Sequence, residues 1–231
     1  NIENLLERGI WSEQLRFDVI SGQDPSPPKG LWMHQPSQVI SLEGARLGTL
    51  NWRLSGVHNL SNALAALAAA RHVGVTPQQG IEYLADFTGV KRRMEIVHTS
   101  SRAVLYDDFA HHPTAIKSTL AGLRQKIGQA PIYAILEPRS HTMRLGIHHD
   151  QLAPACADAD RVFWLKPERL AFDLEKAVGP QGHAVFDDPL TLARTAGQQL
   201  ELESKTAHIV IMSNGGIDVL KTALLDQISH A

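Results

Sequence analysis

From residue 103 onward, short apolar runs alternate with helical patterns. The runs are AVLYDD, PIYAILEP, RVFWLKP, HAVFDD and HIVIMSN, and helix-like stretches around residues 113–126, 148–157, 189–200 and 215–229 separate most of them. The stretch between RVFWLKP and HAVFDD is a weaker helix candidate. Short apolar runs of this length read as strands. Strands alternating with helices join by right-handed crossovers into a parallel sheet. This half of the chain therefore reads as an α/β domain.

The first part has a different texture. WSEQLRFDVI, HQPSQVISLEG and ARLGTLNWRL alternate apolar and polar residues and read as strands, with GQDPSPPKG and EGARLG as breaks. GVHNLSNALAALAAARHVG follows, rich in Ala and Leu, with Gly74 where a helix-ending glycine belongs. Thr76-Pro77 then supplies a cap and a first-turn proline for a second helix, QQGIEYLADF. The expected organisation is residues 1–88 as one unit and 89–231 as another, with the boundary near 88–92.

Bulk properties exclude several classes. With 22 basic and 24 acidic side chains the net charge is −2, which gives no general attraction to nucleic acid or to an anionic membrane. One cysteine, Cys156, excludes an intrachain disulfide framework and fits a reducing compartment. No apolar run approaches the roughly 18–20 residues that span a bilayer, and no secretory leader opens the chain. A cytoplasmic protein is expected. The opening NIENLLERGIW, without an initiating Met, reads as the interior of something longer.

Chemistry concentrates where three of the apolar runs end. YDDFAHHPTAI brings Asp107, Asp108, His111 and His112 within six positions, just before a proline-started helix. Such groups need solvent, a ligand or a metal, because unpaired charges are too costly to bury. A solvated turn using Asp and His as caps is the alternative. EPRSHTMRLG carries Arg139, Ser140 and Arg144, and arginine forks grip carboxylates and phosphates; surface ion pairs are the plainer reading. SNGG, residues 213–216, can turn backbone N–H groups toward an anion, or can simply serve turn geometry. Ligands of open α/β sheets bind outside the carboxyl ends of strands, so the three turns point to one cleft. VKRRME places Lys91, Arg92 and Arg93 at the unit boundary, and HNLSN puts Asn59 and Asn62 on one helix face beside His58. Paired asparagines can read a purine edge, and ordinary capping by Asn59 or Ser61 is the alternative.

In order, GVHNLSNALAALAAA, GVKRRME, YDDFAHHPTAI, EPRSHTMRLG and MSNGG resemble the Mur ligases of bacterial cell-wall synthesis. The likeness leans toward the branch that recycles murein peptide and away from the branch that adds L-alanine. The resemblance implies a three-domain enzyme, with residues 1–88 as the tail of the central ATP-binding domain and 89–231 as the Rossmann-like, peptide-binding C-terminal domain. It implies ATP with Mg2+, and formation of an acyl phosphate on the muramyl carboxylate of UDP-N-acetylmuramate. The amine of L-alanyl-γ-D-glutamyl-meso-diaminopimelate then attacks. His58, Asn59, Asn62, Arg93 and Asp108 correspond to the nucleotide side. His111 and His112 correspond to the reaction centre, and Arg139, Ser140, Arg144, Asn214 and Gly215 to the peptide side. There is no GxxxxGK(S/T) motif in the sequence, so the phosphate-gripping lysine and most magnesium ligands are expected outside these residues.

Two further readings remain open. The helix pair 65–87 mimics a helix-turn-helix, but IEYLADF carries two acids and no base, which disfavours a DNA reader. Asp-Asp and His-His could hold a metal, but no second cluster supplies the remaining ligands.

Overall fold

The computed structural model of the chain describes residues 2–22, 29–52, 54, 56–179 and 182–230. It comprises two compact units, Asn1–Thr88 and Gly89–Ala231. Among the described residues no helix is long and apolar enough to cross a membrane.

The first unit opens with a short helix, α1 (Ile2–Leu6), and a four-stranded sheet: β1 (Phe17–Ile20), β2 (Leu31–His34), β3 (Val39–Leu42) and β4 (Ala45–Thr49). β1 and β2 run parallel, whereas β2–β3 and β3–β4 are antiparallel. The hairpin expected in LEGARLG forms between β3 and β4. LWMH, by contrast, was not an expected strand, yet β2 sits inside the sheet and buries Leu31 and Met33. Four residues after a proline-rich stretch carry too little periodicity to read. The break at residues 23–28 lies outside the described residues.

Helix α2 (Val57–His72) buries Leu60, Ala63, Leu64 and Leu67 against this sheet. Each buried leucine contributes about 1.5–3 kcal/mol of transfer free energy. Helix α3 (Pro77–Ala85) starts with a capping box in which the Thr76 hydroxyl and the Gln79 side chain each bond the other's backbone N–H. A Cβ on Gly80 would stand 2.6 Å from Leu67 Cδ2, so the glycine is what lets α3 close on α2.

The second unit is a six-stranded sheet of order β5-β6-β10-β7-β8-β9. Its strands are β5 (Glu95–Thr99), β6 (Ala103–Asp108), β7 (Ile132–Leu136), β8 (Arg161–Leu165), β9 (His183–Phe186) and β10 (Ala207–Met212). All neighbours are parallel except β5, which pairs antiparallel with β6. This edge strand was not expected, because EIVHT is half polar and has solvent on one side. Alternate residues of β7 feed two cores. Ile132, Ala134 and Leu136 join α4 (Pro113–Ile127) on one face, while Tyr133 and Ile135 join α8 (Pro189–Glu201) and α9 (Asp218–His230) on the other. The helix expected over 148–157 shrinks to a 3-10 turn at His149–Gln151 and α6 (Leu152–Ala155), where Pro154 interrupts the ladder. Single-turn α5 (His141–Arg144) and short α7 (Leu174–Val178) complete the unit.

Candidate functional site

The strand order decides which turns meet. β6, β10 and β7 are adjacent and parallel, and Met212 stands in register with both Asp108 and Leu136. The turns that follow them, 109–112, 213–217 and 137–140, therefore open at one edge of the sheet.

Asp107 and Asp108 correct the turn reading. Both are the last residues of β6 and are buried, at 4% and 3% exposure. The carboxylate of Asp107 accepts from Arg92 Nε at 3.2 Å and from Lys221 Nζ at 3.1 Å. Asp108 bonds backbone: Oδ2 accepts from Met94 N–H at 2.8 Å and Oδ1 from Ala110 N–H at 2.7 Å. It ties the segment before β5 to the turn after β6.

Arg92 was passed over in favour of its neighbour. Its Nη2 donates to the carbonyl oxygens of Ser213, at 2.5 Å, and Gly215, at 3.2 Å. Arg93 is exposed and flanks the Phe109 ring at 5.5 Å, with Arg92 at 5.4 Å from the same ring.

The two histidines do different things. A carbonyl oxygen only accepts, so the 2.9 Å bond between His111 Nδ1 and Phe109 O puts a proton on Nδ1. In the neutral ring Nε2 is then an acceptor. His112 is the N-cap of α4: its Nδ1 accepts from Thr114 N–H at 3.3 Å. Its Nε2 therefore carries the proton and donates to His148 Nε2 at 3.2 Å. The cap reading holds for His112, and His148 had no signal of its own in the sequence.

On the β7 side, Ser140 caps α5 by accepting from Met143 N–H, and Arg144 closes that turn. Arg139 projects from the loop with its side chain 49% exposed and its Nη1 3.7 Å from Glu137 Oε1, so the ion-pair reading of this arginine also has a partner in the structure. It lies over Gly215, where a Cβ would stand 2.5 Å from Arg139 Cδ and 2.7 Å from Nη1. Glu137 accepts from Ser213 Oγ at 2.8 Å, and that same hydroxyl oxygen accepts from Gly215 N–H at 3.0 Å. Asn214 Oδ1 is buried with no hydrogen-bond partner among the described residues. Buried acceptors are seldom left so.

His58, Asn59 and Asn62 lie in the other unit, on the first turns of α2. The N-cap there is Gly56, without a side-chain cap, so Asn59 and Ser61 do not cap this helix. Gly56 has φ +94°, and a Cβ on it would meet the His58 ring at 2.7 Å. No group of three or more His, Cys, Asp or Glu among the described residues is placed to hold a metal. Each carboxylate oxygen of Asp107 and Asp108 already accepts from a cation or a backbone N–H, so this segment by itself does not fit a Mg2+ ion.

Residues 92–215 match the family described as Mur ligase, glutamate ligase domain. Over 231 aligned residues, 98% of the chain, the sequence is 40% identical to the UDP-N-acetylmuramate–L-alanyl-γ-D-glutamyl-meso-2,6-diaminoheptandioate ligase of Escherichia coli. The chain belongs to the Mur ligase family. The Haemophilus influenzae Mur ligase of the same name is 38% identical over 80% of the chain and 41% of its own length. The fold agrees with the solved Mur ligase described as a murein peptide ligase from Psychrobacter arcticus. There the TM-score is 0.68 at 32% identity, over 100% of this chain and 49% of that one. The chain thus spans about half the length of the Mur ligases it matches.

Proposed function

We propose that this chain is the substrate-binding half of an ATP-dependent ligase that joins L-alanyl-γ-D-glutamyl-meso-diaminopimelate to UDP-N-acetylmuramate. In this reading residues 1–88 are the end of the ATP-binding domain and 89–231 the domain that receives the peptide. The observation that carries it is the exposed Arg139 fork, held over Gly215 where three parallel strands end. The tripeptide offers three carboxylates, and a guanidinium pairs with a carboxylate in two parallel hydrogen bonds. Asn214 Oδ1 accepts an N–H of the same peptide.

ATP supplies the activation that a carboxylate needs before an amine can displace oxygen from it. The chain's own part is positioning and proton handling. His111, with Nδ1 tied to Phe109 O, offers Nε2 to the α-ammonium group and takes its proton, leaving an amine able to attack. His112 holds the start of α4 and so fixes the turn that carries His111. Asn59 and Asn62 of the first unit serve the nucleotide. The need for ATP and the lone buried Cys156 fit a cytoplasmic enzyme.

The test is an ADP-release assay on a polypeptide that carries these residues behind a P-loop-bearing ATP domain. With ATP, Mg2+ and UDP-N-acetylmuramate, kcat/KM for the tripeptide should exceed that for L-alanine by at least about 100-fold. The reverse preference would refute the peptide reading.

A further inference from the structure

We infer that Arg92 is a positioning residue: it clamps the loop after β10 and thereby sets the place of the ligand-binding Arg139. The peptide reading above supplies the ligand; the clamp itself rests on geometry. Arg92 bonds three groups at once. Nε meets the buried carboxylate of Asp107, and Nη2 meets the carbonyl oxygens of Ser213 and Gly215. Those two carbonyls bracket the loop, and the side chain of Arg139 rests on the face of Gly215. The clamp and Arg139 thus share one glycine, with no side chain between them.

Two features mark this as a built arrangement. Arg92 has φ +58°, a backbone region that side-chain-bearing residues rarely occupy and that persists only where surroundings hold it. Asp107 is buried, and its second carboxylate oxygen pairs with another cation, Lys221 on α9, at 3.1 Å. Lys221 anchors the carboxylate and, among the described residues, donates to no loop carbonyl. The carboxylate aims the guanidinium, and the guanidinium holds the loop. A lysine at position 92 would keep the charge, but it has no fork to span a carboxylate and two carbonyls.

The experiment is hydrogen–deuterium exchange on the chain and three variants, Arg92→Lys, Asp107→Asn and Lys221→Met, with calorimetric titration of the tripeptide. Arg92→Lys should raise exchange at residues 213–216 by roughly tenfold or more, with β6, β7 and β10 still protected. It should weaken tripeptide binding by roughly tenfold or more, with little change in Tm. Asp107→Asn, which loosens the aim of the guanidinium, should raise loop exchange to a lesser degree, with a lower Tm because two cations lose their carboxylate. Lys221→Met should leave exchange in the loop near that of the unaltered chain. Unchanged loop exchange in Arg92→Lys overturns the clamp, as does equal loosening by Lys221→Met. A merely structural role would instead lower Tm and raise exchange across the strands. If the loop responds as expected but the unaltered chain binds no tripeptide, the clamp stands and the peptide reading falls.

Discussion

The guanidinium of Arg139 occupies the space that a side chain on Gly215 would need, with Cδ, Nη1 and Nε all within 2.8 Å of the Cβ position. Gly215→Ala should therefore push Arg139 off its seat. The atoms displaced are the far end of a flexible side chain, so folding stability should change by only about 0.5 kcal/mol. A lost charged hydrogen bond to ligand should cost about 1.5–3 kcal/mol in peptide affinity. Urea denaturation and peptide titration of the same variant check both. A large stability loss with intact binding would contradict the seating role.

Asp108→Ala should be far more damaging to the fold. It strips the partner from the N–H groups of Met94 and Ala110, and unpaired buried donors cost about 1–3 kcal/mol each. Asp108→Asn retains acceptor capacity through its amide oxygen and should lose less. Denaturation midpoints of the two variants give the comparison, and a near-neutral Asp108→Ala would show that neither bond matters.

The sequence makes some of this legible and hides the rest for physical reasons. Fully covered strands such as IYAIL announce themselves by composition, and so do the turns at their carboxyl ends. β2 and β5 do not: four or five residues in mixed polarity carry no readable period. Asp107 looks like a turn residue because its burial depends on a partner distant in sequence; Lys221 lies 114 positions from it. Arg92 and Arg93 are equivalent on paper. The left-handed backbone at Arg92 turns one inward and leaves the other exposed.

His112 is read as a cap, and its variants separate that role from chemistry. His112→Ala should destabilise by about 0.5–2 kcal/mol, whereas His112→Asn, another good cap, should recover most of it. Both lose the bond to His148. If ligase activity in the joined polypeptide falls equally in both, while stability differs, His112 acts in the reaction as well.

Acid should weaken the fold through two histidines. Burial lowers the affinity of His183 and His208 for protons below their ordinary value near 6.5. His183 Nδ1 accepts from the Trp164 indole N–H, a bond that ring protonation at that nitrogen removes. The unfolded chain thus binds protons that the folded chain refuses. Their contribution is complete above pH of about 6.5 and is lost as pH falls through the lowered folded values. Tm measured from pH 8 to 5 should decline below about 6.5, and His183→Gln should flatten that decline. A decline of the same steepness in the variant would remove His183 from the explanation.

The most direct test of the central claim is calorimetric titration of this chain with L-alanyl-γ-D-glutamyl-meso-diaminopimelate, with L-alanine as comparison and Arg139→Lys as the altered chain. The account predicts saturable tripeptide binding and much weaker binding of L-alanine. Arg139→Lys should lose tripeptide affinity at unchanged Tm, because an ammonium cannot make the two parallel bonds of the fork. Equal binding of both ligands, or a tripeptide affinity that Arg139→Lys leaves untouched, would contradict it.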